Sequence, residues 1–227
     1  DPDLKNVLIS STGINTNGDG EISYAEANAY TGIISAPNLN ISDLTGLEAF
    51  PNITSVFLPN NNISVANFTA NQALEEITIG VNPLTTLDVT GLTNLNELIA
   101  SSNTIGLSSI DLTTNVSLEV LNLSGNQLSS LDVTNLVNLT NFSASNNQLT
   151  SLNLSNNPSL SLMNLYSNNL TSLDLTNQTN ITYLSVMQNN LTASALTLPN
   201  TTTLVELILS DNPLGSIDVS NFTNLEI

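Results

Sequence analysis

The chain has 227 residues, with 19 Asp and Glu against a single Lys or Arg, for a formal charge of −18. That balance repels nucleic acid and anionic membrane surfaces and suits basic partners or divalent cations. Cys and His are both absent, which removes disulfides, thiolate chemistry, imidazole metal sites and the usual general base. The sequence is 40% hydrophobic and only 9% charged, so it can bury a core while Asn, Ser and Thr solubilise its surface. No apolar run approaches about 18 residues, so no transmembrane helix is expected.

Residues 1–32 read as a helical cap. Residues 1–13, DPDLKNVLISSTG, predict a short helix capped by Asp1, with Pro2 in the first turn and Gly13 at its end. Leu4, Val7 and Leu8 form its apolar stripe. Residues 15–26, NTNGDGEISYAE, then match the twelve-residue EF-hand calcium loop at every position but the first. Asn15, Asn17 and Asp19 take the first, third and fifth places, Gly20 the sharp turn, and Glu21 the backbone-carbonyl place. Ser23 takes the ninth place and Glu26 that of the bidentate carboxylate. Calcium is a hard ion that takes about six to eight oxygens, and this spacing supplies them from one loop. Asn15 stands where Asp is usual, so one negative ligand is lost and weaker binding is expected. The alternative is an Asn/Gly-rich turn leading into a helix over 23–30.

From residue 33 onward one frame recurs, L-x-x-L-x-L-x-x-N-x-L, seen at its clearest in LEVLNLSGNQL from Leu118 to Leu128. Residues 33–52 hold a transitional copy in which Ile34, Ala36 and Ile41 fit but Leu39 replaces the Asn, followed by a short helical connection ending at Pro51. Eight regular copies start at Ile53, Leu74, Leu95, Leu118, Leu139, Leu160, Ile181 and Leu204, and Leu225 opens a ninth. The steps are 21 residues except two of 23, near Gly106–Leu107 and Thr192–Ala193. A fixed period of this size marks a solenoid, because one unit cannot bury its apolar face alone. The truncated ninth copy predicts a chain that continues past Ile227 or is a piece of a longer one.

The frame's Asn recurs at Asn61, Asn82, Asn103, Asn126, Asn147, Asn168, Asn189 and Asn212. Each coil must turn inward after its strand, and a stacked amide both donates and accepts, so it can satisfy the backbone groups that turn buries. A second motif follows, as in TTLDVT at 85–90, SSIDLT at 108–113, SSLDVT at 129–134, TSLNLS at 150–155, TSLDLT at 171–176 and GSIDVS at 215–220. Its alternation predicts a second, shorter parallel strand on the opposite face with Asp outward.

These residues resemble bacterial leucine-rich repeat proteins over roughly 33–227. The 21-residue unit with its S-L-D-V/L-S/T tail is similar to internalin J-like and BspA-like surface proteins. The EF-hand-like cap joined to DLTGLEAFPNIT resembles secreted leucine-rich repeat proteins of Bacteroidota. Internalin J-like repeats often carry Cys two residues after the second Leu; here that place holds Leu58, Ile79, Ala100, Leu123, Ala144, Leu165, Val186 and Leu209. The resemblance implies a leucine-rich repeat solenoid with a concave parallel sheet, and a secreted or cell-surface role in adhesion and in binding protein or glycan.

In that fold, positions 3, 5 and 7 of the frame face outward on the concave sheet. Leu162, Asn164, Tyr166, Tyr183, Ser185 and Met187 fall together on two adjacent repeats. Exposed aromatics beside amides suit a sugar ring or a protein hot spot; an ordinary scatter on a Ser/Asn surface is the alternative. Glu75, Glu76, Glu97 and Glu119 form an acidic cluster that either attracts a basic partner or is simply solvated. Asp88, Asp111 and Asp132 should stack on the convex side, where like charges repel unless each accepts local N–H bonds. The reading is a non-catalytic, monomeric binding module stiffened by calcium in its cap, with a rigid spacer presenting another domain as the alternative. Catalysis is not expected, because the carboxylates would lie on an open sheet with nothing to exclude water or raise a pKa.

Overall fold

The computed structural model describes residues 1–226; Ile227, in the truncated ninth copy that Leu225 opens, lies outside them. Helix α1 (Pro2–Ser10) starts where Asp1 caps it, its carboxylate accepting from the backbone N–H groups of Asp3 and Leu4, and buries Leu4 and Leu8. It ends three residues before Gly13. Asn15 turns back and donates Nδ2 to the carbonyl of Ile9 at 3.2 Å, satisfying a terminal helix carbonyl that another turn would otherwise have filled. Helix α2 (Tyr24–Ala29) is capped by Ser23 in a reciprocal box with Glu26. A 3-10 turn, Leu47–Ala49, follows the transitional coil.

The strands in chain order are β1 (Ile33–Ser35), β2 (Ser55–Phe57), β3 (Val65–Asn67), β4 (Glu76–Thr78), β5 (Thr86–Asp88), β6 (Glu97–Ile99) and β7 (Val120–Asn122). They continue with β8 (Asn141–Ser143), β9 (Leu162–Asn164), β10 (Leu173–Asp174), β11 (Tyr183–Ser185), β12 (Leu196–Thr197) and β13 (Glu206–Ile208). Nine of them make one parallel sheet, in the order β1-β2-β4-β6-β7-β8-β9-β11-β13. Equal frame positions stand in register throughout, for example Val120 beside Asn141 and Asn141 beside Leu162. The frame explains this. Its second, fourth and sixth positions alternate with outward ones, so a one-residue slip would turn Leu121 and Leu123 to solvent.

The interior is one continuous apolar column. Leu118, Leu121, Leu123 and Leu128 are all buried, and so are their equivalents in neighbouring coils. Burying each such Leu is worth about 1.5–3 kcal/mol relative to leaving it exposed.

The second sheet is more fragmentary than the repeated motif predicts. Among the described residues only β3 pairs with β5, and β10 with β12, on this side. The segments 108–113, 129–134, 150–155 and 215–220 form no strand ladder. A continuous ladder on one side holds the coils at strand spacing, about 4.8 Å. An interrupted ladder on the other means that the coils spread there, which makes the nine-stranded face the concave one. On the spread side local turns take over. Asp132 accepts from the backbone N–H of Thr134 at 2.9 Å and from its hydroxyl at 2.6 Å. Asp43, Asp88, Asp111 and Asp174 do the same with the Thr two residues on, and Asp218 accepts the backbone N–H of Ser220.

Candidate functional site

The cap loop is closed end to end. Glu26 returns to the loop's start, where Oε1 accepts from the backbone N–H and hydroxyl of Thr16 at 2.8 and 3.0 Å and from the N–H of Asn17 at 3.3 Å. Its Oε2 accepts from the N–H and hydroxyl of Ser23 at 2.9 and 2.8 Å. The Ser23 backbone N–H is the largest influence, and together these donors hold the Glu26 carboxyl down at about 2. Asn15, Asn17 and Asp19 each accept an N–H two or three residues on: Gly18, Asp19 and Glu21 respectively. Gly18 and Gly20 take left-handed backbone, φ 70° and 80°, which lets the chain curl this tightly. The Glu21 side chain leaves the loop and pairs with Lys5 at 2.9 Å.

The donor types are those a hard cation takes: the places expected to bind carry oxygens, and closure brings Glu26 to the start of the loop, though the side chains of Asn15, Asn17, Asp19, Ser23 and Glu26 each already accept an N–H within the loop. Among the described residues no three His, Cys, Asp or Glu side chains converge on one metal position. A cation here would therefore rest on Asp19 and Glu26 for charge and on amide, hydroxyl and carbonyl oxygens for the remainder. Beside the loop lies a cleft of about 760 Å³ lined by Leu4, Leu8, Ile22, Ala49 and Phe50, with Tyr24 at its mouth.

On the concave face the sheet register brings the predicted cluster together. Leu162 stands beside Tyr183, and Asn164 beside Ser185. Leu162 is 42% exposed, while Tyr166, Tyr183, Met187 and Asn164 are half-buried. Ser185 departs from the expectation: it is only 4% exposed. It lies between Tyr183 and Met187 in sequence, with Ile208 next to it in register, so it offers a partner little surface. The Oδ1 of Asn164 is engaged as well, accepting the backbone N–H of Tyr166 at 3.1 Å.

The frame asparagines lie between coils. Asn147 donates Nδ2 to the carbonyls of Leu123 in the preceding coil and Ala144 in its own, at 2.9 and 3.1 Å. Its Oδ1 accepts from the N–H of Leu128 at 3.0 Å. Asn82, Asn126, Asn168 and Asn189 bridge in the same way. Asn61 and Asn212 do so at the two ends, where they are half-buried.

A second interior ladder has no constant residue type and escapes the repeat pattern. It runs Phe50, Asn71, Leu92, Asn115, Leu136, Asn157, Gln178, Thr201 and Phe222, all buried or nearly so. Its four amides donate to carbonyls of the preceding coil, as Asn157 does to Val133 and Leu136. Their side-chain oxygens have no hydrogen-bond partner.

This architecture is similar to solved structures from Listeria monocytogenes. The functional domain of InlJ, described as including a cysteine ladder, matches with a TM-score of 0.72 and 28% identity over 98% of this chain. The chain spans 54% of that domain's length. Internalin C2 matches with a TM-score of 0.71 and 23% identity over 100% of this chain and 92% of its own. InlP matches with a TM-score of 0.60 and 21% identity, over 91% of this chain and 70% of its own. No family model matches the sequence, and no curated protein does. The likeness identifies the fold as an internalin-like leucine-rich repeat solenoid. In place of a cysteine ladder this chain stacks apolar residues, Leu58 through Val186, all fully buried.

Proposed function

We propose that the chain is a non-catalytic binding module of a secreted or cell-surface bacterial protein, recognising protein or glycan on its concave sheet. The observation that carries this reading is the Leu162, Tyr166, Tyr183 and Met187 patch, gathered by strand register on the open face of a rigid sheet. Amphipathic aromatics presented by a stiff scaffold lose little conformational freedom on binding. The likeness to internalin domains supports a binding role. No helix among the described residues is long and apolar enough to cross a membrane.

Calcium belongs to the same proposal. Asn15, Asn17, Asp19, Ser23 and Glu26 would hold it through side-chain oxygens and Glu21 through its carbonyl, and the ion would supply rigidity to the cap rather than chemistry. The EF-hand-like cap, together with the segment that joins it to the repeats, also supports kinship with secreted leucine-rich repeat proteins of Bacteroidota. The chain is taken to act as a monomer.

The test is a protein and glycan array probed with the intact chain, in calcium and then in chelator. Binding abolished by Tyr166→Ala and by Tyr183→Ala establishes the sheet as the recognition surface. Silence on every probe by a folded chain overturns the reading in favour of a rigid spacer. A flat calcium isotherm for the parent chain removes calcium from it.

A further inference from the structure

Resting on the concave sheet as the binding face, we propose that its partner is a cationic polypeptide and that the row Leu162, Tyr183, Glu206 receives one of the partner's lysine or arginine side chains. Strands β9, β11 and β13 are neighbours, and register places Leu162 beside Tyr183 and Tyr183 beside Glu206. The row thus passes from aliphatic to aromatic to carboxylate in steps of about 4.8 Å. A long basic side chain has the same order, an apolar stem ending in a cation. Its stem covers Leu162 and the Tyr183 ring while its head reaches Glu206.

The rest of the sheet agrees in sign. Glu75, Glu76, Glu119 and Glu206 are exposed, Glu97 is half-buried, and all five lie on or beside concave strands. Glu76 and Glu97 stand directly opposite each other, a like-charge pairing that costs stability. The chain's one cation, Lys5, sits in the cap and is bound to Glu21, so no basic side chain of its own offsets them. A cationic partner removes that repulsion and is steered to the sheet by the same field.

The patch is sparsely furnished for a sugar. Ser185 is only 4% exposed and the Asn164 oxygen already accepts the Tyr166 N–H, which leaves the Asn164 amide N–H groups as the main neutral polar contact beside the rings. The Glu206 carboxylate remains.

The test uses the intact chain at about 0.15 M salt, where diffuse charge attraction is short-ranged. Fluorescence anisotropy follows a labelled ten-residue peptide of alternating leucine and lysine, a matched peptide with glutamine for lysine, and competition by chitohexaose. Each variant is first matched to the parent by circular dichroism and denaturant midpoint. The lysine peptide should bind, Tyr183→Ala and Glu206→Gln should each weaken it by at least about five-fold, and Asp218→Asn on the convex side should not. Equal weakening by Asp218→Asn means diffuse attraction to an acidic protein and overturns the proposal. So does equal binding of the glutamine peptide, or displacement by chitohexaose; if Tyr183→Ala still abolishes binding in those cases, the concave reading survives alone. No binding by either peptide, or no effect of Tyr183→Ala, overturns the basic-side-chain site.

Discussion

Asn103 donates Nδ2 directly to Oδ1 of Asn126, at 3.0 Å. Elsewhere in the ladder an amide reaches the sixth-position carbonyl of the preceding coil, as Asn126 reaches Ala100. Asn103 instead leans forward and bonds its neighbour. The coil that begins at Leu95 is one of the two with 23 residues, and its extra length swings Gly106 to a φ of 92° before Leu107 rejoins the frame. Asn126 thereby becomes a hub. Its oxygen accepts from Asn103 and from the N–H of Leu107, and its nitrogen serves the carbonyls of Ala100 and Leu123.

Asn126→Ala should therefore cost about 3 kcal/mol, because several buried groups lose partners at once, and Asn103→Ala less, about 1–2 kcal/mol, because its oxygen serves only the Asn82 N–H, at 3.3 Å. Denaturant midpoints measured side by side decide it. Equal shifts would show that the forward bond carries no special weight.

Two buried asparagines ten residues apart should respond unequally to the same change. Asn147→Leu should cost about 1–3 kcal/mol, since the N–H of Leu128 is left without an acceptor. Asn157→Leu should stay within about 1 kcal/mol of the parent. The carbonyls that Asn157 serves already accept backbone N–H groups, Val133 from Leu136 and Leu136 from Leu139. Its own oxygen is buried without a partner, and Leu136 fills the same place one coil earlier. A large loss on Asn157→Leu would show that the second ladder of amides holds the coils together.

These two ladders mark the limit of what the sequence discloses. The frame Asn is legible because the same turn recurs in every coil and demands both a donor and an acceptor. The place of Asn157 demands only a side chain that fills the interior, so Phe, Asn, Leu, Gln and Thr all occupy it and no constant letter marks it. Sheet order and register followed from the period alone. The convex strands did not, because alternation fixes which residues face inward but not how far apart the coils stand. Ser185 shows a similar gap: alternation counts it among the outward positions, while its 4% exposure depends on packing that the pattern does not carry. At the cap the pair Ser23 and Glu26 reads both as ligands and as a capping box; the box is formed, and it does not exclude the ligand role.

Val81 should be the most easily improved residue in the chain. It sits at φ 58°, where a β-branched side chain is strained. The same turn position holds Asn60, Ser102, Gly125, Asn146 and Ser167, all with positive φ. The conformation is enforced by the ladder, since the Val81 N–H bonds the carbonyl of Ser101 at 2.8 Å in the next coil. Val81 is 47% exposed, so replacing it sacrifices little burial. Val81→Asn should raise stability by about 1 kcal/mol. An unchanged or lower denaturant midpoint would count against strain at this turn.

Acid should loosen the cap through Glu26. Its folded carboxyl lies at about 2 against an ordinary 4.5, held there first by the Ser23 N–H and then by the Ser23 hydroxyl. A depressed carboxylate stabilises the fold fully above its unfolded value and loses that contribution as pH falls through the folded one. The window is thus from about pH 4.5 down to about pH 2. Glu26→Gln removes the titrating group, so the stability gap between parent and variant should be widest near neutral pH and should close across that window. Asp111, Asp132 and Asp174 are lowered too, chiefly by the hydroxyls of Thr113, Thr134 and Thr176. They make the whole solenoid acid-sensitive but are common to both proteins and cancel in the difference. Thermal unfolding in chelator at a series of pH values gives the measurement. A gap that does not change with pH would mean that Glu26 holds the cap by shape and not by charge.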